Sequence, residues 1–280
     1  MYSAIPVGAH EKKTHQFFSQ KQSSSAQATA QTLSAQSPSA PPTSKESPAT
    51  ASTLFVCFTN RCGSTLLTSK LSQFGLAGRA EKFKNYEHFN HKVISTYCNE
   101  KKINSLFDYS RSIAEAFSGP LGYFTSKVSS DQLFWLGKTG VFGKVFQSPT
   151  FINVKRKNVV KQAISLVIAK QSGKWTSLHP GTKSDKALVF DEADILKNML
   201  QIHRSNALID LFFSLHSITP ITVYYEEIAE NESYLTSLLE AELNCTLTAT
   251  YENTLPVKKQ ATNLNTEWEN RFREMYQLSR

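Results

Sequence analysis

Leu54 to Leu67, LFVCFTNRCGSTLL, is the stretch that leaves this chain the fewest folds to choose from. Leu54 to Phe58 is an apolar run of the length expected for a parallel strand buried on both faces. Polar turn residues follow from Thr59 to Gly63. A helical pattern opens at Ser64, with Leu67, Leu71 and Phe74 on one face and Gly75 placed to end it. A strand, a tight turn and a helix N-terminus in succession aim unpaired backbone N–H groups at one point, and the helix dipole adds positive potential there. The expected occupant is a phosphate. The plainer reading takes Asn60 to Ser64 as a turn with Ser64 as N-cap, and Cys62 as a small buried thiol.

Two familiar phosphate chemistries do not fit the turn. A nucleoside-triphosphate loop needs GxxxxGK[ST], whose lysine reaches the β- and γ-phosphates. Here Phe58 to Thr65 reads FTNRCGST, with Phe58 in place of the first glycine and Ser64 in the lysine slot. A phosphatase loop of the Cys-x5-Arg type fails because Cys57 and Arg61 are too close. What is left is one arginine, one glycine and a Ser–Thr pair opening a helix, suited to holding a phosphate without an obligatory metal.

The rest of the chain points to one α/β domain. Met1 to Ser52 is mostly Ser, Gln, Ala, Thr and Pro and has almost nothing to bury, so it is expected to be a disordered tail in front of a folded domain over residues 53–280. Phe17 and Phe18 within it read as incidental. Short buried strands are expected at Val141 to Phe146, Phe151 to Val154, Ala187 to Phe190 and Ile221 to Tyr224. Helices are expected at Ile103 to Phe117, Asn158 to Lys170 (capped by Asn158), Glu192 to Phe213, Glu226 to Leu239 and Asn265 to Gln277. Strands alternating with helices predict a central parallel sheet covered on both faces, with ligands beyond the C-terminal strand ends.

Net charge is +8, which suits an anionic ligand of any kind. The four cysteines, Cys57, Cys62, Cys98 and Cys245, include no CxxC pair and read as reduced thiols, so no metal site is expected. No apolar run approaches the ~20 residues of a membrane span. No signal peptide is indicated, and the first arginine is Arg61, which argues against a transit peptide. The expected location is cytoplasmic. Nucleic acid is a poor fit, because the basic residues sit at strand ends and not in an aromatic-interleaved stripe.

A second basic junction lies in Phe151 to Trp175, FINVKRKNVVKQAISLVIAKQSGKW. It puts Lys155, Arg156 and Lys157 between a strand and a helix, with Ser165 further along that helix. This is either a second anion site or a solvated charge run. FVCFTNRCGSTLL, GLAGRAEKF and RKNVVKQAISLVIAKQSGKW resemble, in that order, motifs of the bacterial trehalose 2-sulfotransferase family. A GxWGGK-like segment is similar to the stretch holding Gly143 and Lys144, and KQATNLNTEWENRF (Lys259 to Phe272) is similar to the family's C-terminal motif. The resemblance runs from Leu54 to near the end of the chain and implies a P-loop-like domain. It also implies the sulfuryl donor 3′-phosphoadenosine-5′-phosphosulfate (PAPS) and a carbohydrate or glycolipid hydroxyl as acceptor. The oligomeric state stays open, a homo-oligomer included.

Carried over residue by residue, the resemblance assigns Thr59, Arg61, Cys62, Gly63, Ser64 and Thr65 to the loop that grips the 5′-phosphosulfate. It assigns Arg156 and Ser165 to the 3′-phosphate. Arg61 and Lys144 would stabilise the leaving group. The family's proton acceptor is a glutamate after the GxAG segment, where this chain has Glu81 next to Lys82; the direct alignment puts Lys82 on that position, and Glu87 and His88 are further candidates. If no base survives, the protein is a non-catalytic nucleotide binder of the same fold. His203, Trp135, Trp175 and Trp268 read as packing or rim residues, and Tyr224, Tyr225 and Glu226 as the close of a strand at the cleft.

Overall fold

The computed structural model describes residues 13–14, 16–19, 52–78, 86–175, 181–182, 184–247 and 262–277. Chain order runs β1 (Ser52–Cys57), α1 (Ser64–Gln73), α2 (His91–Glu100), α3 (Leu106–Phe117), β2 (Tyr123–Val128), α4 (Ser130–Thr139) and the short α5 (Val141–Lys144). It continues through β3 (Thr150–Lys155), α6 (Val159–Ser172), α7 (Glu192–Leu215), β4 (Ile221–Tyr224), α8 (Tyr225–Glu230), α9 (Glu232–Leu243) and α10 (Asn263–Met275). Among the described residues the strands form one parallel sheet in the order β2-β1-β3-β4. Helices cover both faces, giving the expected three-layer α/β domain.

The apolar run of β1 works because its side chains alternate between two cores. Leu54 and Val56 join Leu67 and Leu71 of α1 and the buried face of α9. Phe55 and Cys57 point the other way, into an aromatic core with Phe89, Phe124, Phe146 and Phe151. A third cluster seats α6 between α7 and α10, through Ile164, Val167, Ile195, Trp268 and Phe272. At the end of α1, Gly75 has φ 75°, Leu76 N–H bonds to Leu71 O at 2.8 Å and Gly75 N–H to Ser72 O at 3.1 Å. These two bonds are a Schellman stop, the role its position predicts for Gly75.

Several elements differ from their sequence reading. Val141 to Phe146 is no strand: Gly143 takes φ 88°, and the segment closes on itself through Val145 and Phe146 N–H bonds to Val141 O. Leu188 to Phe190 follows a 3-10 turn, Asp185–Ala187, and packs on the α6–α7–α10 cluster without joining the sheet. The helix predicted over Glu226 to Leu239 is two, because Asn231 adopts extended backbone and caps α9 by accepting from Tyr234 N–H at 3.2 Å. β2 is a strand that the sequence reading lacks altogether.

The N-terminal aromatics also behave otherwise than expected. Residues 16–19 are helical, Phe18 is only 9% exposed in the aromatic core, and Phe17 lies edge-on to His91 with centroids 6.3 Å apart. Neither aromatic is incidental.

Candidate functional site: the turn after β1 and the arginine pair

Strand order 2-1-3-4 places the topological switch between β1 and β3, since the chain leaves β1 for β2 on one side and later returns to β3 on the other. A crevice opens at such a point beyond the strand ends. The turn after β1 and the basic end of β3 both face it.

The turn itself is held from beneath. Cys62 N–H bonds back to Thr59 O at 3.2 Å, and the buried Gln162 of α6 donates to Thr59 Oγ1 at 2.9 Å and to Asn60 O at 2.8 Å. Two residues adopt positive φ, Arg61 at 65° and Gly63 at 98°. The N-cap of α1 is Gly63, not Ser64, and no side chain caps that end. The first-turn N–H groups are therefore not spent on a capping side chain, which argues against the plainer reading of the turn. Glycine is needed at 63 for a second reason: a Cβ there would lie 2.4 Å from Tyr225 Cδ2.

Two guanidiniums converge on this turn. Arg61 Nε donates to Ser165 Oγ at 3.0 Å, and another of its nitrogens to Trp175 O at 2.6 Å. Arg156 donates to Arg61 O at 3.2 Å and stacks on Tyr225, with Cζ 4.7 Å from the ring centroid. Burial depresses the pKa of both arginines, and for Arg61 the neighbouring Arg156 charge adds to the effect. Arg156 Nε is buried with no hydrogen-bond acceptor, its nearest carboxylate oxygen being Glu226 Oε1 at 3.7 Å. Two half-buried cations side by side, one with an unused donor, can together receive an anion of more than one charge.

The backbone N–H groups at the start of α6 contribute nothing to the second basic junction. Glu226 already accepts from Lys157 N–H at 3.0 Å and Asn158 N–H at 3.3 Å, so the helix N-terminus is capped from within the chain. The Lys155–Arg156–Lys157 run divides likewise. Lys155 pairs with Asp210 at 2.9 Å and Lys157 with Glu227 at 2.8 Å, whereas Arg156 reaches the turn through the Arg61 carbonyl. Asn158 caps α6 as predicted and is itself held by Glu269 of α10 at 2.7 Å. Sequence reasoning missed Gln162 and the supporting role of Tyr225 and Glu226, because each acts through a contact made far away in the chain.

The remaining candidates scatter. Thr59, Arg61, Cys62, Gly63, Ser64, Thr65, Arg156 and Ser165 come together. Lys144 does not: it lies in the return from α4 to the start of β3, at the opposite end of the strands, with Nζ 5.6 Å from the centroid of the Phe107 ring. Glu81 and Lys82 lie outside the described residues. Trp268 is buried and Trp175 is 44% exposed at the rim, while His203 is exposed on α7 and is not a packing residue.

His88 is buried among Phe117, Phe124 and Tyr86, and burial pushes its imidazole down to about 3. The folded protein thus binds this proton less readily than the unfolded chain, so stability is full above about 6.5 and falls as pH drops toward 3. Each pH unit in that window should cost up to about 1.4 kcal/mol. Urea unfolding of His88→Phe between pH 7 and 4.5 should show a flatter acid limb than wild type; an unchanged limb would contradict the assignment.

A parallel sheet with a glycine-containing strand-to-helix turn at its switch point, and two half-buried arginines closing on that turn, defines an α/β protein of the P-loop-like class. Residues 121–275, from just before β2 to the end of α10, match the family model described as Stf0 sulphotransferase. The match spans more than half of the chain, which belongs to that family and is a sulfotransferase. No curated protein matches the chain. Among the described residues, no helix is long and apolar enough to cross a membrane.

Proposed function

We propose that the protein transfers the sulfuryl group of PAPS to a hydroxyl of a carbohydrate or glycolipid. The observation that carries this reading is the Arg61–Ser165 hydrogen bond, with Arg156 against the same turn. PAPS bears a phosphosulfate on the 5′ side of its ribose and a phosphate on the 3′ side. Arg61, the turn N–H groups and the Ser64 and Thr65 hydroxyls would grip the first, and Arg156 with Ser165 the second. Arg61 touches both sets and would register one phosphate against the other. Sulfuryl transfer then needs what phosphoryl transfer needs: in-line positioning and stabilisation of charge on the leaving oxygen. The incoming hydroxyl's proton would go to a carboxylate of the segment following α1, Glu81 in the resemblance. A location in the cytoplasm is part of the same reading.

Calorimetry with adenosine 3′,5′-bisphosphate tests the donor site. Wild type should bind it, and Arg156→Ala should weaken binding roughly 10- to 150-fold, the equivalent of a hydrogen bond to a charged group. Absence of binding by wild type, or equal binding by the variant, would overturn the two-phosphate assignment.

A further inference from the structure

A second charged cluster lies on the other side of β1 from the arginine pair. Lys127, near the C-terminal end of β2, is only 3% exposed. Its ammonium meets Glu87 Oε1 at 3.1 Å and sits 4.8 Å from the centroid of the Phe58 ring, the residue that runs into Thr59 and the turn. The segment carrying Glu87 is fastened along the edge of β2, with Lys127 N–H bonding to Tyr86 O at 2.7 Å and Ser126 Oγ to the same oxygen at 3.3 Å. The Glu87 carboxylate remains 32% exposed. Burial pushes the Cys62 thiol up, and the Lys127 charge is among the groups that oppose this, which places that ammonium within electrostatic reach of the turn.

We propose that Glu87 accepts the proton of the incoming hydroxyl, and that Lys127 is the residue that positions its carboxylate beside the turn. This rests on the sulfuryl-transfer reading above. In the step, the acceptor oxygen forms a bond to sulfur while the bond from sulfur to the bridging oxygen breaks. The hydroxyl proton passes to the Glu87 carboxylate. The electron pair of the broken bond leaves on the 5′-phosphate of adenosine 3′,5′-bisphosphate. Arg61 faces that phosphate from one side of β1, and Glu87 faces the acceptor from the other, which suits an in-line displacement.

The other acids paired at this end of the sheet lie on the β3–β4 side, across β1 from Glu87. Glu226 caps α6, Glu227 and Asp210 neutralise Lys157 and Lys155, and Glu269 holds Asn158 and Arg273. His88 is enclosed by aromatic rings. Glu87 combines exposure with a partner that also faces the turn. Burying a lysine costs more than a surface ion pair returns, so its place here is better explained by aiming a carboxylate than by stability.

The test uses the full chain, labelled PAPS, and trehalose, glucose and a trehalose glycolipid as acceptors. Glu87→Gln should lower kcat about 100-fold or more, the usual contribution of a positioned base. Its affinity for adenosine 3′,5′-bisphosphate and its melting temperature should stay near wild type, and Glu87→Asp should recover part of the rate. Lys127→Met should lower kcat with little change in bisphosphate binding, and Lys127→Arg should restore much of it. Full turnover by Glu87→Gln, or loss confined to Glu81→Gln, would overturn this assignment while leaving the sulfuryl-transfer reading intact. Wild type that binds no bisphosphate and sulfates none of the acceptors would overturn that reading itself.

Discussion

Replacing Arg61 with alanine should reduce kcat/KM for sulfuryl transfer roughly 1,000-fold or more, a larger loss than any other single change at the turn. One side chain bonds Ser165 on α6 and the Trp175 carbonyl, while the Arg156 bond goes to the Arg61 backbone carbonyl, which alanine keeps. Removing it takes away a charge at the 5′ side and the link to the 3′ side together. A single preorganised donor to a developing oxyanion typically contributes roughly 100- to 1,000-fold, and the proposed function gives Arg61 that role as well as a part in binding. Arg61→Lys is the informative partner. A lysine keeps the charge but has no planar fork to reach Ser165 and Trp175 at once, so it should recover bisphosphate binding better than turnover. Steady-state kinetics with calorimetry on the same samples would decide; Arg61→Ala within threefold of wild type would remove the turn from the reaction.

Gly63→Ala is expected to damage the fold out of proportion to its size. The new methyl would meet Tyr225 Cδ2 at 2.4 Å and Cγ at 3.1 Å, on a residue whose φ is 98°. Backbone strain and overpacking together predict a loss of about 2–5 kcal/mol, a large share of a typical domain's stability. Tyr225 also stacks on Arg156, so the displaced ring should loosen the arginine and weaken bisphosphate binding as well. Urea denaturation of Gly63→Ala with and without Tyr225→Ala separates the two causes. The second substitution should return the packing part and leave the backbone part. A Gly63→Ala protein as stable as wild type would mean that the turn is looser than described.

Much of this architecture is written locally. β1 is legible because a strand covered on both faces must be apolar throughout. β2 is not, because Thr125, Ser126 and Lys127 look like surface residues until each is given a partner. Thr125 Oγ1 donates to Leu76 O at 2.6 Å, Ser126 Oγ to Tyr86 O, and Lys127 to Glu87. The GxWGGK-like resemblance suffers from the same blindness. It rests on Gly143 and Lys144, whereas the lysine next to the end of a sheet strand and against Phe58 is Lys127, five residues after Gly122.

The sequence by itself determined the turn and the helix limits around it: an apolar strand, a glycine in the turn at Gly63, Gly75 as a stop and Asn158 as a cap. Each of these signals acts within a few residues, so the chain's own order carries it. Only the tertiary structure decided which charges are available for chemistry. Lys155, Lys157 and the start of α6 are satisfied by carboxylates from α7 and α8, while Arg61 and Ser165, 104 residues apart, meet at one hydrogen bond. Burial and Coulomb forces act through space and not along the chain, so a charge's partners are known only once the fold has closed.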